Sequence, residues 1–135
     1  MKKKVFMALF ALTMGLQAAG PWKATFTCPQ EKIDLTLDLY EESIEVPGFE
    51  DFGPMNGYLS GNIYGVWYVT GHDIQDSKNV TLKVANDLGS ENQKIQLTQT
   101  TDSTWTLKFV GGNVVKRVSG KKLVKIPNEL IMKKK

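Results

Sequence analysis

Cysteine and histidine each occur once in the 135 residues, as Cys28 and His72. A lone cysteine closes no intramolecular disulfide. One of each also falls short of the four mostly Cys and His ligands of a structural zinc site. No Gly-x-Ser-x-Gly elbow and no Gly-x-x-x-x-Gly-Lys loop occurs, so the sequence marks of hydrolase nucleophiles and of P-loop phosphate cradles are missing. Acidic groups near Asn86 and Asp87 lack EF-hand spacing. Long apolar runs are scarce too. The only one, residues 5–16, is shorter than the ~20 residues that span a bilayer as a helix. These absences predict no enzyme, no cofactor, no metal and no transmembrane anchor.

The N-terminus carries a different message. Lys2, Lys3 and Lys4 precede the apolar run, and Ala18, Ala19 and Gly20 follow it. A charged head, a short apolar stretch and small residues are the layout of a bacterial signal peptide. Residues 1–19 are read as that peptide and residues 20–135 as one exported domain, periplasmic or secreted. Of 17 basic and 14 acidic residues, cleavage removes three lysines, leaving 14 of each. A neutral chain predicts no nucleic-acid partner. The charge is nevertheless polarised: −6 over residues 20–51 and +8 over residues 105–135. Either the basic third is a patch for an anionic partner, or a closed barrel sets the basic last strand beside the acidic first ones. The second reading is preferred.

Alternation of apolar and polar residues dominates the rest, as strands with one dry face require. Ile33, Leu35, Leu37 and Leu39 alternate with Asp34, Thr36 and Asp38. Residues 22–28, 80–85, 94–98 and 105–109 repeat the pattern, with shorter runs at 114–118 and 123–126. Turn-forming residues separate them, and none of the windows is an amphipathic helix apart from a turn after Asn128. This predicts an all-β domain: one antiparallel meander closing into a small β-barrel of about eight strands, with a β-sandwich as the alternative. Cys28 falls on a dry face as a small hydrophobe, and the final three lysines read as a solvated tail.

The candidate sites lie where glycine and aromatic residues mix. Gly65 is expected inside a strand over residues 63–69, sharing a face with Trp67 and leaving space for a ligand. Tyr58, Tyr64 and Tyr68 complete this ligand-binding group. Phe49 and Phe52 sit in a loop, either plugging a barrel end (the preferred reading) or forming an exposed lip. With Lys121, Lys122 and Lys125 they make up the expected partner-binding rim. His72 beside Asp73, and the acidic group Glu41, Glu42 and Glu45, read as solvated surface. The function expected is a non-catalytic exported binding module for a small amphipathic ligand. The alternative is a protein-interaction role in the envelope, as a periplasmic enzyme inhibitor or an accessory subunit.

Overall fold

The computed structural model describes residues 20–86 and 91–135. The expected signal peptide and part of the turn after Asn86 lie outside the described residues. The alternating segments form strands β1 (Lys23–Cys28), β2 (Ile33–Asp38), β3 (Gly57–Gly61), β4 (Trp67–Ile74) and β5 (Asn79–Asn86). The second half contributes β6 (Asn92–Gln99), β7 (Trp105–Gly112), β8 (Lys116–Ser119), β9 (Lys122–Lys125) and β10 (Glu129–Lys134). Each of β1 to β7 pairs antiparallel with the next, and β7 then pairs with β10. The ring closes where β10 meets β1, Phe26 opposite Lys134 and Thr27 opposite Lys133. Beyond that pairing, the Lys135 N–H donates to the Thr25 carbonyl at 2.8 Å. The fold is an eight-stranded closed barrel, not a sandwich.

Inward positions follow the alternation. Ile33, Leu35, Leu59, Leu82, Leu97 and Leu107 are fully buried, and side chains of this kind fill an eight-stranded barrel. The barrel end holding the β2–β3 loop is sealed by Trp22. Its indole Nε1 donates to the Asp76 carbonyl at 3.2 Å, and its backbone N–H donates to Tyr40 Oη at 2.9 Å. Phe26 stands edge-on to Trp105, ring centroids 5.1 Å apart, continuing the seal inward. Cys28 is a free, buried thiol on the dry face.

Asp38 is the carboxylate at which β2 ends. It is fully buried, and its oxygens accept from the N–H of Tyr40 and of Glu41 and from Ser43 Oγ, at 3.1, 3.1 and 2.6 Å. Burial pushes its pKa up. The Ser43 hydroxyl, the two backbone N–H groups and the nearby Lys23 ammonium together outweigh that and hold it below the ordinary carboxylate value.

Closure brings the polarised charges together, as the barrel reading predicts. Lys135 Nζ reaches Asp34 at 3.1 Å across the β10–β1–β2 seam, and Arg117 reaches Glu31 at 2.9 Å. Three expectations need correction. Residues 129–134 are neither a helical turn nor a solvated tail: they are the closing strand, with Leu130 and Met132 buried. The short runs near 114–118 and 123–126 are not barrel strands. They pair with each other as a separate hairpin, β8–β9, between β7 and β10. Gly65 does not lie in a strand, because β4 begins only at Trp67. Its φ of +83° belongs to the left-handed region that glycine tolerates and extended strands do not use.

Candidate functional site

An antiparallel ring has two ends. The β2–β3 loop springs from one, and the β3–β4 loop, the β5–β6 loop and the β8–β9 hairpin spring from the other. At that second end, Gly65 turns the chain immediately after Tyr64. The Tyr64 backbone is pinned there: its N–H donates to the Lys116 carbonyl at 2.7 Å, and its carbonyl accepts from Asn86 Nδ2 at 3.3 Å. The β8–β9 hairpin is thereby laid over the barrel mouth. Beneath it lies a depression of about 150 Å³ lined by Tyr64, Trp67, Asn86, Val114, Lys116 and Leu123, with Glu91 at its margin. Trp67 is 1% exposed, and its indole N–H has no hydrogen-bond partner among the described residues.

The hairpin contributes no buried side chain. Val115 and Ile126 flank it and are buried, and they root it in the core. Within it, Val118 faces Leu123 across the strands, and both are about half exposed, at 54% and 47%. Lys116 lies directly opposite Lys125, a like-charge arrangement that weakens a strand pair. Only Arg117 has an acidic partner. Lys116, Lys121, Lys122 and Lys125 have none among the described residues.

Of the expected ligand group, the structure unites Tyr64 and Trp67 with Gly65 between them, and separates the rest. Tyr58 opposes Tyr68 in the β3–β4 register, one position out of phase with Leu59 and Trp67. Neighbouring strand residues point to opposite faces, so both tyrosines stand on the outer wall. Phe49 packs on Tyr68 at 4.9 Å and on Phe52 at 5.6 Å. The two phenylalanines therefore lie on that wall and do not plug an end. Phe52, 74% exposed, forms a lip. Their loop and the Lys121, Lys122 and Lys125 hairpin spring from opposite ends of the barrel, so the expected single rim is two surfaces. Sequence reasoning missed Val114, Lys116, Val118 and Leu123. The signal was the interleaving of lysine and aliphatic residues around the Ser119-Gly120 turn.

His72 and Asp73 are exposed on β4. No three His, Cys, Asp or Glu side chains gather as a metal site among the described residues, and no helix there is long and apolar enough to cross a membrane. No protein-family model, curated protein or solved structure matches this chain.

Proposed function

We propose that this chain is a non-catalytic, exported binding module that grips an acidic protein partner of the envelope with the β8–β9 hairpin and the mouth beneath it. The observation that carries the reading is the hairpin itself. It projects from the barrel mouth with an exposed Val118–Leu123 pair and four lysines lacking acidic partners among the described residues. An isolated two-stranded hairpin is marginal in water, and like charges across it weaken it further. A partner supplying carboxylates and apolar surface offsets both costs. The depression of about 150 Å³ has room for a benzene-sized group and falls below the ~300 Å³ at which pockets for whole small ligands begin. That volume favours one side chain of a partner over a whole amphipathic small molecule. The export half of the proposal rests on the charged, apolar and small-residue layout of residues 1–19.

Pull-down from an envelope extract, comparing wild type with Lys122→Glu and Leu123→Asp, tests the binding surface. Both positions are exposed and outside the core, so the variants fold. The expected result is a partner retained by wild type and lost by both variants. Retention by both variants refutes the hairpin as the grip. Phe52→Ala, at the opposite end, is the control that leaves this capture intact.

A further inference from the structure

We infer a second ligand site on the outer wall of the barrel, across β4 to β7, built to take a linear anionic oligosaccharide. One row of cross-strand neighbours reads Gly71, Lys83, Lys94, Gly111 over four adjacent strands. The two lysines are direct opposites. Their Cβ atoms in such a pair lie about 5 Å apart, and neither has an acidic partner among the described residues. A direct Lys–Lys pair is unfavourable unless an anion bridges it.

The flanking glycines are not there for the backbone. Neither has a positive φ. A Cβ on Gly71 would meet Lys83 only at ordinary contact distance, and one on Gly111 would meet nothing within 4 Å. What they do is leave the space beside each lysine empty. A register break accompanies each glycine, at Thr70 in β4 and at Val110 in β7. Bulges of this kind re-aim side chains and cluster beside binding sites.

The next row adds hydrogen-bonding groups. Thr81 faces Gln96, and Gln96 faces Lys108. Thr81 Oγ1 donates to Gln96 Oε1 at 2.7 Å, which leaves the Gln96 amide N–H groups as the donors on its other side. Asp73, beside Thr81, accepts from Gln75 Nε2 at 3.2 Å and keeps acceptor capacity for a hydroxyl. Gly71, Asp73, Thr81, Lys83, Lys94 and Gln96, with His72 and Val110, line an open groove of about 540 Å³. A second depression, of about 440 Å³, shares Gln96 and Val110 with it and runs on past Thr98, Thr106 and Lys108, whose ammonium is paired with Glu129 at 3.4 Å. The only apolar side chain in either lining is Val110. Paired ammonium groups for carboxylates, hydroxyl, amide and carboxylate groups for sugar hydroxyls, and a track longer than one sugar unit fit an acidic glycan. An acidic peptide would need apolar pockets for its other side chains, and the groove has none.

The test is calorimetric titration of the full chain with tetragalacturonate at low salt, with maltotetraose and tetraglutamate as comparison probes. Saturable binding of tetragalacturonate alone is expected. It should fall about tenfold or more in the Lys83→Gln/Lys94→Gln double variant and be reduced by Gly71→Val, which fills the groove. Unchanged melting temperatures separate lost binding from lost fold. Lys122→Glu should bind the glycan as wild type does, so this site and the hairpin succeed or fail separately. No saturable binding at millimolar probe, equal binding of maltotetraose or of tetraglutamate, or binding indifferent to Lys83, Lys94 and Gly71 would each overturn the inference.

Discussion

Replacing Asp38 separates the charge from the geometry of the one fully buried carboxylate among the described residues. In Asp38→Ala, the Tyr40 and Glu41 N–H groups and the Ser43 hydroxyl all lose their acceptor. Bonds to a charged group contribute about 1.5–3 kcal/mol each when buried. These donors are partly buried, so water replaces some of the loss, and a total near ~3 kcal/mol is expected. Lys23, at 3.7 Å and half exposed, adds less than about 1 kcal/mol. Asp38→Asn keeps an oxygen for the two N–H groups and lets the Ser43 hydroxyl turn to accept. It should cost only ~1 kcal/mol at neutral pH. The assay is urea unfolding followed by tryptophan fluorescence, repeated from pH 7 to pH 2. Because the folded pKa of Asp38 lies below its unfolded value, its stabilisation is complete above about pH 4. It is lost as pH falls through the folded value. The gap between wild type and Asp38→Asn must therefore narrow in acid. A gap that stays constant down to pH 2, or an alanine variant as stable as wild type, would refute the reasoning.

Further outcomes follow from the same geometry. Asp76, held low chiefly by the Lys78 N–H and the Asn79 side chain, leaves a residual acid sensitivity in Asp38→Asn that Asp76→Asn removes in the same titration. Gly57→Ala should abolish soluble expression, because a Cβ there would lie 2.1 Å from the Thr36 carbonyl at a φ of +151°. Gly48→Ala, at a φ of +87° with nothing within 4 Å, should cost only about 1–2 kcal/mol in urea unfolding. Leu107→Ala, fully buried in the barrel, should cost about 2–5 kcal/mol in the same assay. Deleting residues 129–135 should leave a chain without a cooperative transition by circular dichroism, since β1 and β7 each lose one of their two partners and the ring opens. A cooperative melt of the truncated chain would count against closure as the source of stability.

The barrel was legible because its strands keep one dry face. Ile33, Leu35 and Leu37 alternate without interruption, and the opposed charges of residues 20–51 and 105–135 pointed to acidic and basic strands lying together. The closing strand escaped notice for a physical reason. In β10 the outward Ile131 is apolar and more than half exposed, which breaks the alternation of Leu130 and Met132, while the lysines after it look like tail. Gly65 misled because its parity with Trp67 and Val69 fits a strand; only its backbone angle excludes one. The runs around Val118 and Leu123 have strand composition, but they pair with each other and add no strand to the barrel sheet. The aromatic group divided because Tyr58 and Tyr68 are one residue out of phase with Leu59 and Trp67. The outer-wall groove left no trace in the linear order. Lys83 and Lys94 are eleven positions apart, and only the β5–β6 register sets them face to face.

Ring closure by the final strand also governs when the domain can form. The seam joins Phe26 to Lys134, so no intermediate that lacks β10 can close the ring. Until β10 docks, the sheet presents two open borders, at β1 and β7, to any neighbouring chain. Contacts between such distant positions are slow to establish. The slow, cooperative step of folding is therefore the docking of β10 between β7 and β1, its pairing with β1 being the contact most distant along the chain.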